Sequence, residues 1–172
     1  MSFFSFILML VVVTAAKGPP PPPPIVLSMV AVHATKEGSS PKSYDPALKE
    51  VRAALEDLKF DTYRLICTQT VSARHNEESK VAISPDYTLY VKPLSKDPGG
   101  KVRVSVRIEM PPKKEGEKPV NALSTTLVIV PGKQFVLGGL ELDKGELVIV
   151  MALKDDPHNP SVHGSLRFRF SF

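Results

Sequence analysis

LSTTLVIV (Leu123 to Val130), PGKQFVLGGLELDKG (Pro131 to Gly145) and ELVIVMAL (Glu146 to Leu153) form the stretch whose reading decides the fold. Leu127 to Val130 and Leu147 to Leu153 are apolar at successive positions, whereas a strand with one wet face alternates. The pattern predicts two strands at the buried centre of a sheet, which the rest of the chain must cover. Pro131 and Gly132 suit the two central positions of a type II turn, because proline fixes the first φ and glycine accepts the positive second one. Asp143, Lys144 and Gly145 predict a second tight hairpin. Gly138 and Gly139 interrupt the strand between these turns and predict a bulge in the sheet. No helix start follows them to complete a phosphate cradle.

Working outward, Val102, Val104, Val106, Ile108 and Met110 alternate with Arg103, Ser105, Arg107 and Glu109, which predicts a half-buried strand. Tyr87, Leu89 and Val91 continue the theme upstream, after a turn at Pro85 and Asp86. Tyr63, Leu65, Cys67, Gln69, Val71 and Ala73 also recur at a period of two, and RHNEESK (Arg74 to Lys80) reads as the hairpin loop that follows. Pro111 to Pro119 is too polar and proline-rich for a strand. Ile25 to Ala34 is the first strand candidate. Between these strands lies a single helical signature near residues 46–58. Asp45 caps it, Pro46 suits its first position, and Leu48, Val51, Leu55 and Leu58 share one face. The expected fold is α+β: a mostly antiparallel sheet or sandwich of about six to eight strands with one packed amphipathic helix.

Residues 1–16 carry no charge and hold an apolar core from Phe3 to Val13, followed by the small residues Thr14, Ala15 and Ala16. That core is shorter than the roughly 20 residues of a membrane span and fits a secretory signal peptide. Residues 17–24 are a spacer dominated by six consecutive prolines, Pro19 to Pro24, which form a stiff polyproline II rod. Residues 25–172 are the single folded domain. The expected location is therefore exported: periplasmic, associated with the outer envelope, or secreted, with no stable membrane span after signal cleavage. A single cysteine, Cys67, excludes an internal disulfide and reads as a small buried hydrophobe. The 22 basic and 18 acidic residues are interspersed, giving a formal charge of +4 without a basic arm. Lys101, Arg103 and Arg107 read as a solvated sheet face, because a single-strand platform interleaves basic with aromatic residues. No nucleic-acid partner is expected.

Catalytic signatures are absent from the sequence: there is no Gly-x-Ser-x-Gly elbow, no His-Glu-x-x-His helix and no phosphate-binding loop. His158 and His163, with Asp155 and Asp156, form a cluster with metal-ligand residue types, but their proline-interrupted loop does not preorganise a site. No metal or cofactor is expected. Leu166, Phe168, Phe170 and Phe172 alternate with Arg167, Arg169 and Ser171. This reads as an amphipathic last strand that either closes the sheet of its own domain or pairs with a partner by β-augmentation. These four residues are the candidate partner-binding set.

Thr125 to Leu140 (TTLVIVPGKQFVLGGL) resembles the segment of bacterial secretins in which paired threonines lead into a strand, a glycine turn and a Val-Leu-Gly-Gly-Leu run. The resemblance spans Tyr87 to Leu153, within the secretins' C-terminal β-domain. It takes in Leu89, Val91 and Pro93, then GGKVRVSVRIEM, and a late apolar strand at Glu146 to Leu153. Six residues, Glu141 to Glu146, stand where secretins carry a long insertion, so the resemblance implies a β-hairpin topology in an envelope domain rather than a pore. The function expected is noncatalytic: an envelope-associated or secreted binding or assembly module, such as a secretion-system accessory, that meets a protein partner or itself by sheet-edge pairing. The competing readings are an enzyme whose site is assembled from loops and a structural subunit of a homo-oligomer.

Overall fold

A computed structural model describes residues 23–112 and 116–154. Nine strands follow one another in chain order: β1 (Ile25–Thr35), β2 (Ser43–Tyr44), β3 (Thr62–Ala73), β4 (Ser79–Ser84), β5 (Tyr87–Lys96), β6 (Val102–Met110), β7 (Val120–Ile129), β8 (Gln134–Leu142) and β9 (Gly145–Leu153). They form two sheets, ordered β2-β3-β1-β9-β8 and β4-β5-β6-β7. Every pairing is antiparallel except that of β2 with β3. The molecule is a β-sandwich with very little helix.

The first sheet is apolar on both faces at its centre. Leu27, Met29 and Ala31 of β1 and Leu147, Ile149 and Met151 of β9 point to the core between the sheets. Val32, Ala34, Val148 and Val150 point the other way, into a second cluster with Leu48, Val51, Leu55 and Phe60. Successive strand residues face opposite sides, so a strand buried on both needs a continuous apolar run. The sequence reading of ELVIVMAL is therefore correct. Its counterpart is not: in LSTTLVIV, Val128 is 48% exposed and Val130 36% exposed. β7 is an edge strand of the second sheet, whose outer face is uncovered among the described residues. The two stretches read as a pair belong to different sheets.

The helix expected near residues 46–58 is a correction of a different kind. A 3-10 turn at Pro46–Leu48 is followed by one α-helical turn, α1 (Arg52–Leu55). Successive i to i+3 bonds carry the segment: Leu48 N–H donates to Asp45 O, Val51 N–H to Leu48 O, and Ala54 N–H to Val51 O. The apolar residues still face the sheet, because Leu48, Val51 and Ala54 recur at three, the repeat of the tighter helix. At its far end, carbonyls that a longer helix would use internally are taken by side chains. Lys42 Nζ donates to Glu56 O and Leu58 O, at 2.7 and 2.6 Å.

Two strand expectations also change. Arg74 to Lys80 does not close a hairpin, because β3 and β4 lie in different sheets and the segment carries the chain across the sandwich. Nor do the alternating residues of β3 share a face. The register slips by one residue at Ile66, so Tyr63 and Leu65 pack under α1 while Cys67 and Val71 pack between the sheets. Cys67 is half-buried rather than enclosed.

The turn chemistry was legible. Lys133 N–H donates to Val130 O across Pro131 and Gly132, with Gly132 at φ +70°. Asp143 and Lys144 join β8 to β9, with Asp143 at φ +49°. The Gly138–Gly139 pair is the bulge itself: the register of β8 shifts between Leu137 and Leu140, and Gly139 has φ +90°. The hydroxyl of Tyr87 donates to Glu141 O and ties β5 to β8 across the sandwich.

Candidate functional site

Polar side chains converge at one depression of about 340 Å³, lined by Glu37, Ser39, Tyr44, Asp45, Thr62 and Arg64 among others. The local sequence explains the convergence, since the loop after β1 and the turns after β2 both return to the start of β3. Asp61 accepts from Glu37 N–H at 2.8 Å, Gly38 N–H at 2.9 Å and the Thr62 hydroxyl at 3.0 Å. The bond from the Glu37 amide is the main reason its carboxyl titrates below the ordinary carboxylate range. Asp45 caps the 3-10 turn through Ala47 N–H at 2.9 Å, as its position in the sequence predicted. Arg64 pairs with Glu37 at 3.2 Å. Each of these charged groups holds a loop in place, so the depression serves as a structural junction.

Behind it, Tyr44 stacks on Tyr63 with ring centres 4.9 Å apart, and the Arg52 guanidinium lies 4.7 Å from the Tyr44 ring centre. The Tyr63 hydroxyl is 3.0 Å from the carbonyls of both Leu55 and Phe60 at the end of α1, where Leu55 O also accepts from Leu58 N–H at 3.2 Å. Burial pushes its pKa up to about 12. The neutral phenol is the form the fold favours, so the stability it contributes is complete below pH 10 and is lost as pH rises from 10 towards 12. For a tyrosine whose unfolded value is near 10, that loss amounts to about 2 to 3 kcal/mol. Tyr63→Phe removes the hydroxyl that bonds Phe60 O and Leu55 O and is expected to cost about 1 to 2 kcal/mol at neutral pH. Urea denaturation of both proteins across pH 7 to 12 checks this: the gap between them narrows above pH 10 and reverses at the alkaline end.

The outer face of the second sheet interleaves basic side chains with acidic ones. Lys80, Tyr90 and Arg107 stand in one row across β4, β5 and β6. The Arg107 guanidinium lies 4.2 Å from the Tyr90 ring centre and pairs with both Glu78 and Glu109. Arg103 and Lys101 are exposed, as expected of a solvated face.

The sheet edges stand out instead. The first strand is paired on both sides, with β3 and with β9. β7 pairs with β6 alone. Val120, Val128 and Val130 are the exposed large hydrophobic residues among the described ones, and all three lie on β7 or at its end. An unpaired strand bearing exposed valines is a ready template for another strand. Sequence reasoning missed it because the same apolar run was assigned to the core. The small polar residues Ser124, Thr125 and Thr126 within the strand were the signal available.

Asp155, His158 and His163, and the set Leu166, Phe168, Phe170 and Phe172, lie outside the described residues. Among the described residues, no group of three or more His, Cys, Asp or Glu side chains is arranged to hold a metal ion, and no helix is long and apolar enough to cross a membrane. His33 instead bonds Leu142 O through Nε2, at 3.1 Å. Comparison with protein-family models, with curated proteins and with solved structures finds no match.

Proposed function

We propose that the chain is an exported, noncatalytic binding or assembly module of the cell envelope or secreted fraction, and that it meets a protein partner by strand addition at β7. The observation that carries this reading is that β7 pairs on one side only and exposes Val128 and Val130 at one end and Val120 at the other. A strand laid beside β7 would take its free backbone N–H and C=O groups and extend the face that carries Val128 and Val130, which is how β-augmentation combines affinity with selectivity. The resemblance of Thr125 to Leu140 to secretins suggests, as the specific role, an accessory of a secretion system. Export rests on the charge-free apolar segment at residues 1–16 and the small residues that close it.

The test is affinity purification of the tagged protein from its native envelope fraction, alongside Val128→Lys. A lysine on an edge strand opposes pairing because its charge would be buried without a partner. The wild type is expected to retain a defined partner and the variant to lose at least about 10-fold of it, while unfolding midpoints agree to within about 0.5 kcal/mol, as for an exposed site. Equal retention by both proteins refutes the β7 edge. Recovery of a product beginning near Lys17 supports export, and intact Met1 in a cytosolic fraction refutes it.

A further inference from the structure

The interleaving of charges on the outer face of the second sheet is confined to one end, where Arg107 pairs with Glu78 and Glu109. At the other end, where Val128 and Val130 are exposed, cations stand without acids. Arg103 is opposite Val128 in the pairing of β6 with β7, so the two share the outer face. Val102 and Ile129 close that pairing, and Lys101 and Val130 are the next residues of the two strands' chains. Lys133 follows in the turn after β7, where its N–H donates to Val130 O at 3.0 Å. The turn before β6 packs on the turn after β7, since a Cβ on Gly100 would fall 3.1 Å from Pro131 Cγ. Lys101, Arg103 and Lys133 are thereby gathered around the valine pair. All three residues are exposed, and none makes an ion pair among the described residues. The acid of these turns, Asp97, spends its carboxylate on the backbone N–H of Lys101, at 2.8 Å.

The open side of β7 therefore presents free backbone groups, a pair of short apolar side chains and a cationic rim. A strand added there lies two strand spacings from β6, or about 10 Å. The long side chains of Lys101 and Arg103 can cross the short valines and meet carboxylates that reach back from the added strand. An apolar centre with a charged rim is the ordinary anatomy of a protein interface. A second copy centred on the valines would set the same cations against their own kind, on a chain that already carries a formal charge of +4. A polyanion such as single-stranded nucleic acid would leave the backbone groups unpaired and find no ring to stack on, because Tyr90 lies at the far end with Arg107 over it.

We infer that the partner of β7 is an acidic protein segment: an extended strand with apolar side chains over Val128 and Val130, flanked by Asp or Glu residues that Lys101, Arg103 and Lys133 hold. This inference rests on strand addition at β7 and names the chemistry of the strand that is added. The whole chain is titrated, by fluorescence anisotropy, with the end-capped peptide Thr-Glu-Thr-Val-Thr-Val-Thr-Glu-Thr, whose palindromic order offers the same pattern in either strand direction. Versions with Gln or Lys in place of Glu are titrated alongside. The Glu peptide is expected to bind at least ~10-fold more tightly than the Lys peptide at low salt, with the Gln peptide between them. The difference shrinks at ~1 M salt, where the screening length is about 3 Å. Lys101→Glu/Arg103→Glu, matched to the wild type by far-ultraviolet circular dichroism, is expected to reverse the order. Equal affinities of the Glu and Lys peptides overturn the inference, as does an order that the double variant leaves unchanged or the absence of binding by all three peptides. Tighter binding of an oligothymidylate than of the Glu peptide overturns it in favour of nucleic acid. Self-association of the free chain that Val128→Lys abolishes overturns it in favour of a second copy. A fully N-methylated Glu peptide keeps the carboxylates but has no backbone N–H to donate, and so separates the inference from its premise. If methylation abolishes binding while the Glu and Lys peptides bind equally, strand addition stands and only the acidic partner falls. If methylation leaves binding undiminished, strand addition falls with it.

Discussion

Gly145→Ala is expected to destabilise the fold by about 3 kcal/mol or more, the high end for inserting a methyl group into packed structure. Gly145 opens β9 directly after the Asp143–Lys144 turn, where the hairpin folds against the end of β1. A Cβ there would fall 2.7 Å from Thr35 Cγ2 and 2.9 Å from His33 Nε2, and closer still to the carbonyl oxygen of Ala34. That oxygen belongs to the backbone of a central strand and cannot turn aside as a flexible side chain would. The His33 ring is held as well, through its bond to Leu142 O. Gly132→Ala separates crowding from backbone strain. Gly132 has φ +70° and no atom within 4 Å of its absent Cβ, so alanine there costs only the left-handed conformation, about 1 kcal/mol. Urea denaturation midpoints of the two variants, at equal slope, give the comparison. Similar losses would mean that the β1–β9 junction yields more readily than its geometry implies.

Ile149→Ala is expected to cost about 3 to 4 kcal/mol, from lost burial together with the cavity left behind. Ile149 is fully buried at the middle of β9, paired with Ala31 on one side and Leu137 on the other. Its neighbours in the core come from both sheets, so no single loop can collapse into the space. Val128→Ala removes a smaller aliphatic side chain at a site that is 48% exposed, and is expected to change stability by less than about 0.5 kcal/mol. Calorimetric unfolding of the two variants measures the contrast. An Ile149→Ala loss below about 1.5 kcal/mol would remove β9 from the centre of the fold, because buried isoleucine truncations do not fall that low.

These paired variants mark the boundary of what the chain's letters reveal. Period-two alternation in Val102 to Met110 placed β6 with the correct face inward, because side-chain direction along a strand is a local property. Turn residues behaved similarly: Pro131–Gly132, Asp143–Lys144 and the Gly138–Gly139 bulge all sit where backbone preference alone would put them. Asp45 also caps the first turn after β2 as its neighbours predicted. The site was far less legible. The β7 edge contains no charged or catalytic residue to announce it, and its significance depends on the absence of a neighbouring strand, which no local pattern encodes. The helical segment shows the same limit from the other direction. Its apolar spacing was read correctly, but whether it winds as one helix or as short turns depends on Lys42 and Tyr63, which reach its carbonyls from elsewhere in the chain.

One tetrapeptide shows the division plainly. Leu-Val-Ile-Val occurs at Leu127 to Val130 and again at Leu147 to Val150. The sequence by itself determined that both copies are extended and apolar, and that the chain is a mostly antiparallel β protein. Only the tertiary structure decided that the second copy is buried on both faces while Val128 of the first is 48% exposed. Burial is set by what lies above and below a sheet. Residues 46–60 cover the outer face beside β9, and among the described residues nothing covers the outer face beside β7.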